Sequence, residues 1–288
     1  MDLFIAGGTG VLGRRIVPEL LEQGHTVTVL ARDSSRSRRI SEAGARVVCG
    51  NAFEAERLRA LLVQAQPHVV IHQLTDLATA SSTANARLRV HGTRNLVQAA
   101  LTARTERIVV QSIAWCYESG DEPAAETTAL DDDADDPARR ITVKAVRAME
   151  AAAAEMPEWV VLRNGALYGP DTWYAPEGRI GHAARERQIA AGLDVTSFVH
   201  VNDASMAAVQ ALTWPTGVVN IVDDEPAREH DWVPVYCAAI GAPPPSFTDH
   251  RHDWARGASN KKARSLGWTP EHPTWRAGFG GCSASMGE

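Results

Sequence analysis

Short apolar runs alternate with amphipathic stretches along most of the chain. Leu3-Phe4-Ile5-Ala6 is apolar throughout and has the length of a buried strand. Leu12, Ile16 and Leu20 then recur every four residues, the spacing of one helix face. Gly24 is the expected stop of that helix, and Pro18 inside it predicts a kink. Further strands are predicted at 26–30, 46–49, 69–72 and 108–110, with helices at 53–64 and 84–103. Val69-Val70-Ile71-His72 is apolar on both faces, as central parallel strands are. Leu88, Leu96 and Ala100 turn one face of the 84–103 helix inward. This βαβα rhythm predicts an α/β fold with a doubly wound parallel sheet.

After residue 110 the rhythm loosens. The acidic run Asp131–Asp136 reads as a solvated surface loop, followed by a helix at 141–155 and a strand at 160–163. Residues 164–174 form a loop rich in Gly, Tyr and Trp. A helix at 179–190, a short strand at 197–200, a helix from Asp203 to Leu212 and a last sheet strand at 218–221 complete the regular part. Residues 223–288, with Pro243-Pro244-Pro245, are irregular, and no internal repeat is visible.

The chemistry begins at Gly7-Gly8-Thr9-Gly10-Val11-Leu12-Gly13, between the first strand and the first helix. Strand, glycine turn and helix form the setting of a dinucleotide-binding fingerprint. The glycines permit a tight turn and close approach to a pyrophosphate, and the helix N-terminus favours its charge. Gly7, Gly10, Val11, Leu12 and Gly13 are therefore the first candidate cofactor contacts. At the end of the second strand an acidic residue would suit the ribose of NAD. Ala31-Arg32 instead suits the 2′-phosphate of NADP, with Arg36, Arg38 and Arg39 adding charge. The expected cofactor is NADP, with NAD as the alternative. Asn51, Ala52, Gln73, Lys144 and Asn164 complete the candidate cofactor set. Residues 1–164, completed by about 201–222, are read as the dinucleotide-binding domain, and 165–200 with 223–288 as a smaller substrate lobe.

Composition narrows the partners. The 288 residues are 44% hydrophobic, enough for a substantial core. A net charge of −6 and a pI near 5.9 argue against a nucleic-acid surface. No apolar stretch approaches the roughly 20 residues of a membrane helix. The N-terminus runs straight into a strand, without the pattern of a signal peptide. Cys49, Cys116, Cys237 and Cys282 have no metal-like spacing, and Cys49 and Cys116 are expected as buried thiols. The expectation is a cytoplasmic protein acting on a small molecule, without metal, membrane or nucleic acid.

Several motifs together resemble extended or atypical short-chain dehydrogenases/reductases of the NAD-dependent epimerase/dehydratase type. GGTGVLG at 7–13 matches the cofactor turn, and Val90-His91-Gly92-Thr93-Arg94-Asn95-Leu96 resembles the NVxGTxNL helix. Leu162-Arg163 through Tyr168-Gly169-Pro170, Phe198 to Asp203, and Ser259 to Ala263 with Leu266-Gly267-Trp268 resemble the later family segments. The resemblance implies a Rossmann sheet and a nicotinamide cofactor, and offers the helices at 84–103 and 141–155 as a homodimer face.

The catalytic positions depart from that pattern. The family's hydroxyl segment reads here Gln111-Ser112-Ile113-Ala114-Trp115-Cys116-Tyr117, so the reactive position is Ile113 and Ser112 stands one residue early. A one-residue shift sends a strand side chain to the other face unless a bulge re-aims it. In place of the family's YxxxK pair stand Arg140 and Lys144, one helical turn apart. A guanidinium stays protonated and cannot donate a proton as tyrosine does. Lys144 remains able to hold the ribose. The candidate catalytic residues are therefore Lys144, Tyr117, Tyr174 and Ser112, with either tyrosine as a stand-in proton donor or an aromatic wall. Trp115, Arg140, Trp173 and Tyr174 are the candidate substrate contacts; Trp115, Trp173 and Tyr174 suggest an apolar, aromatic or secondary-metabolite-like substrate rather than a bare sugar, and core packing explains Trp115 equally well. Tyr168 and His200 are read as packing and structural residues, and Tyr236 as core on a C-terminal helix. Three classes stay open: an NAD(P)-dependent oxidoreductase or epimerase with a rearranged acid, a non-redox cyclase or isomerase, and a nucleotide-sensing binding module.

Overall fold

The computed structural model describes residues 1–33, 37–76 and 81–281. Arg36 and Cys282 lie outside the described residues. The chain begins with β1 (Asp2–Ala6), α1 (Gly13–Glu22), β2 (Thr26–Ala31), α2 (Arg38–Glu42), β3 (Arg46–Cys49), α3 (Ala55–Ala65) and β4 (Val69–His72). Next come α4 (Ser82–Arg87), a π-helical turn (Leu88–Gly92), α5 (Thr93–Thr102), β5 (Arg107–Ile113), α6 (Pro137–Ala153) and β6 (Glu158–Asn164). The remainder holds β7 (Ala166–Tyr168), α7 (Arg179–Arg185), β8 (Ala190–Ala191), β9 (Val195–Thr196), β10 (Phe198–His200), α8 (Val201–Gln210) and β11 (Gly217–Ile221). It closes with β12 (Ala227–Arg228), α9 (Glu229–Ala239), β13 (Ser246–Phe247), α10 (Lys261–Ser265) and α11 (Trp275–Gly281).

Seven strands form one sheet in the order β11-β6-β5-β4-β1-β2-β3. Leu3 pairs with Val27 on one side and with Val69 on the other, both in parallel. The strand order therefore reverses between β1 and β4, the crevice where doubly wound sheets take ligands. All four residues of β4 are buried, as its two-sided apolar pattern predicts. None of the helices among the described residues is long and apolar enough to cross a membrane.

The chain divides into two compact units. The first comprises Met1–Ser112, Leu130–Leu162 and Ser205–Val218, and its core gathers Phe4, Leu58, Leu62, Leu96, Ile108, Met149 and Val161. The second comprises Ile113–Ala129, Arg163–Ala204 and Val219–Glu288. Its core is aromatic, with Tyr168, Phe198, Trp232, Tyr236, Trp275 and Phe279.

Several expectations need correction. The helix expected at 84–103 is broken by the π-helical turn, which buries Leu88, Arg89 and Gly92. The next residue, Thr93, meets the buried His72 ring at 2.7 Å. The acidic run is more than a solvated loop. Asp131 pairs with the buried Arg139 at 2.7 Å, Asp132 pairs with Arg147, and Asp136 accepts the Arg139 N–H at 2.6 Å. That cap, with Pro137 in the first turn, starts α6 four residues before the expected Ile141. α7 stops at Arg185, and Arg187 then takes a left-handed φ of 58°. The irregularly spaced tail contains α9, the C-terminal helix expected around Tyr236, and also α10 and α11. Cys49 is exposed rather than buried, because β3 is the edge strand, whereas Cys116 is buried.

Candidate active site

The glycine turn follows β1 at the strand-order reversal. Gly7 has a φ of +97°, and a Cβ there would stand 2.6 Å from the Gln73 carbonyl carbon. A Cβ on Gly13 would collide with the Gly7 carbonyl oxygen and the Gly8 backbone. The Gly10 N–H closes the turn on the Gly7 oxygen at 3.0 Å. Leu12 precedes α1 and gives no side-chain hydrogen bond to the first N–H groups of the helix. Val11 is partly exposed beside them, and its carbonyl takes a bond from Arg15 at 2.8 Å. Gln73 is buried, yet neither its Oε1 nor its Nε2 has a hydrogen-bond partner. A bare turn beside an orphaned amide fits a dinucleotide that supplies phosphate oxygens and polar edges.

The rest of the candidate cofactor set falls as follows. Arg32 is exposed directly after the buried Ala31. It makes no ion pair among the described residues. A hollow of about 620 Å³ adjoins Ala31, with Ser37, Arg38, Val47 and Cys49 in its wall. Arg38 is tied to Glu42 at 2.8 Å. Asn51 accepts the Phe53 N–H at 3.1 Å, and the buried Ala52 accepts the Asn95 side chain at 2.9 Å. Asn164, at the end of β6, is buried with its Oδ1 unpartnered.

α6 carries Arg140 and Lys144 one turn apart. Lys144 is exposed, and Arg140 is anchored by its Nη1 to the Ala134 carbonyl at 2.8 Å. Ser112 lies near the end of β5. Its hydroxyl is buried and donates to Glu150 on α6 at 2.6 Å. The shift of one residue has therefore turned this side chain toward the helix layer.

The tyrosines are equally occupied. Tyr117 is buried and donates to Asn220 Oδ1 at 2.5 Å, while Asn220 Nδ2 donates to the carbonyls of Ala124 and Ser259 at 3.1 Å each. Burial pushes the phenol up to about 12, although the Arg163 guanidinium, 4.9 Å from the ring, pulls the other way. Tyr174 sits among Phe198, Trp232 and Tyr236, with ring centroids 5.3, 5.8 and 5.9 Å away. Burial and the Glu229 carboxylate raise its proton affinity further. Burial leaves both phenols holding their protons tightly.

Trp115 and Trp173 are 43% and 40% exposed, so neither is core. Arg179 lies over the Trp173 ring at 5.4 Å. Tyr174 instead helps line a pocket of about 260 Å³ with Ile180, Ile189, Thr196, Glu229 and Trp232. Trp232 Nε1 is buried without a partner. Sequence reading missed Glu229 and Trp232. The one available signal was the apolar set Trp232, Val233 and Tyr236, which shares a helix face.

His200, Asp203 and His272 also cluster. Asp203 accepts the backbone N–H groups of Glu271 and His272 at 2.7 and 3.0 Å, and the His272 ring at 3.2 Å. The His200 and His272 rings stack at 3.7 Å. The carboxylate is spent on backbone donors, so the cluster acts as a clasp on the C-terminal segment.

The family model of the NAD dependent epimerase/dehydratase family matches residues 3–222, and the chain belongs to that family. It is an NAD(P)-dependent enzyme of the oxidoreductase and epimerase kind. Among curated proteins it is similar to the 3-diazoavenalumate denitrifying reductase of a Streptomyces species, 39% identical over 97% of this chain and 99% of the relative. Among solved structures it resembles the Bordetella bronchiseptica enzyme WbmG in complex with NAD and UDP. That match has a TM-score of 0.79 at 22% identity, covering 99% of this chain and 94% of the other. The UDP-glucose 4-epimerase of Thermotoga maritima gives a TM-score of 0.78 at 19% identity, covering 99% and 98%.

Proposed function

We propose that this protein is an NADP(H)-dependent reductase of a small aromatic substrate whose hydride-accepting group needs no proton donor from the protein. A diazo group is the acceptor we assign. The observation that carries this reading is the state of the three hydroxyls. Ser112 is bound to Glu150, Tyr117 to Asn220, and Tyr174 is packed in an aromatic cluster. Removing a positioned general acid from a carbonyl reductase typically costs about 10²–10⁴-fold in rate. An electrophile that accepts hydride directly avoids that cost. The 39% identical relative, named for denitrifying a diazo compound, supports the same choice.

When bound, the reduced nicotinamide supplies one hydride. The overall change balances as an arenediazonium plus hydride giving the arene and N₂, with no proton consumed. The chain's own residues bind and orient. Gly7, Gly10 and Gly13 with the α1 N-terminus cradle the pyrophosphate. Arg32 takes the 2′-phosphate, and Gln73 and Lys144 hold the nicotinamide half. Arg140 is permanently charged and suits an anionic oxygen on the substrate. The pocket beside Tyr174 and Trp232 takes an aryl ring. Its wall contains Glu229 and neither lysine nor arginine, which disfavours the diphosphate of a nucleotide sugar.

The test incubates the protein with a hydroxyarenediazonium compound and NADPH deuterated at the transferred position. The reading expects equal amounts of N₂, oxidised cofactor and ring-deuterated arene. Cofactor oxidation without N₂, or an arene without deuterium in H₂O, refutes it.

A further inference from the structure

The second unit carries a pair of imidazoles placed to share a cation. His250 and His252 flank Arg251 in the segment that follows β13. Their Nε2 atoms stand 3.1 Å apart, with the rings at 89° and their centroids 4.3 Å apart. Arg251 points elsewhere, its Nη2 donating to the Gly120 carbonyl at 3.3 Å and lying 3.7 Å from Asp121. The cation between the two histidines is thus removed from the pair.

Asp194 sets the chemistry of His252. Its Oδ2 is 2.7 Å from His252 Nδ1, and its Oδ1 accepts the His252 backbone N–H at 2.6 Å. An ionised carboxylate only accepts hydrogen bonds, so Nδ1 carries the hydrogen and the Nε2 of the neutral ring presents its lone pair. Carboxylate, histidine and ion in that order is the usual outer support of a metal-bound imidazole. The ring separation fits as well. Metal–nitrogen bonds of about 2.0–2.1 Å place two ligand nitrogens ~2.9 Å apart at a right angle and ~3.4 Å apart in a tetrahedron. The observed 3.1 Å lies between these. The Glu229 carboxylate, half-buried and bonded to the Gly192 N–H at 2.9 Å, lies within electrostatic reach of both rings.

From this geometry we propose that His250 and His252 bind one borderline divalent transition ion, of the Zn²⁺, Ni²⁺ or Cu²⁺ class, with Asp194 as the positioning residue. Imidazole nitrogen suits these ions, whereas Mg²⁺ and Ca²⁺ require oxygen ligands. The Leu193 N–H already bonds the His250 carbonyl at 2.8 Å. A bound ion would fix the rings of the 250–252 segment on the same turn.

The experiment titrates Zn²⁺ into the untagged full-length protein by calorimetry, with melting temperature as a second readout and Mg²⁺ as control. One equivalent is expected to bind, raising the melting temperature, with no response to Mg²⁺. His250→Ala and His252→Ala should each weaken binding at least tenfold and abolish the thermal shift. Asp194→Asn should weaken it about 10–100-fold while leaving both ligands in place. Arg251→Ala should change nothing. Wild type that takes up no Zn²⁺, or both alanine variants binding as wild type does, overturns the proposal.

Discussion

Replacing Tyr117 by phenylalanine separates a structural phenol from a catalytic one. Tyr117 is 1% exposed and its partner Asn220 is fully buried, so no solvent is at hand to replace the lost hydroxyl. Asn220 Nδ2 keeps its two carbonyl acceptors, but Oδ1 loses the donor now 2.5 Å away. An orphaned buried acceptor costs about 1–3 kcal/mol. In a domain of this size each kcal/mol lowers the melting temperature by about 2–4 °C, so a fall of roughly 2–12 °C is expected. The phenol is held near 12 and committed to Asn220, so kcat should not change. Were Tyr117 the proton donor, the loss would be about 10²–10⁴-fold. Scanning calorimetry and single-turnover oxidation of NADPH, both well below the melting transition, read the two effects separately. A hundredfold drop in kcat refutes the account of the site. An unchanged melting temperature refutes the account of the hydrogen bond.

Arg32→Ala should lower affinity for NADPH about tenfold or more and leave NADH nearly unchanged, since a charge-assisted hydrogen bond contributes about 1.5–3 kcal/mol; calorimetric titration of both cofactors checks this. Tyr174→Ala should destabilise the protein by about 3–5 kcal/mol, as an aromatic core truncation does, while Tyr174→Phe stays close to wild type in both melting temperature and kcat. Trp173→Ala, at a residue 40% exposed, should cost little stability. Burial raises Asp223 from 3.8 to about 8, so the folded state binds a proton that the unfolded chain releases. That contribution is full below about pH 4 and lost as pH rises through about 8. Asp223→Asn should therefore flatten the decline in stability over this window in urea titrations at stepped pH.

The chain's sequence by itself determined the layered α/β fold and the location of the glycine turn after β1, because both rest on local rules. Alternation of apolar runs with helix-spaced faces specifies strand and helix within a dozen residues. The glycines announce a turn that a Cβ at Gly7 or Gly13 would block. Even the oddity at Ile113 and Arg140 was legible, since it is a departure within a short motif. What the hydroxyls do was not legible. Ser112 meets a carboxylate 38 residues away and Tyr117 an amide 103 residues away. Tyr174 turned inward because α9 and α11 bring Trp232, Tyr236 and Phe279 to it. The acidic run looked solvated because its sequence does not show that Arg139 is buried and requires a partner. Two histidines at 250 and 252 do not by themselves specify a site. Only the fold supplies the carboxylate of Asp194, 58 residues earlier, that orients one ring toward the other. Periodicity and glycine act through the backbone of neighbouring residues. Hydrogen bonding and proton affinity depend on which distant side chain the fold delivers, and tertiary packing alone decides that.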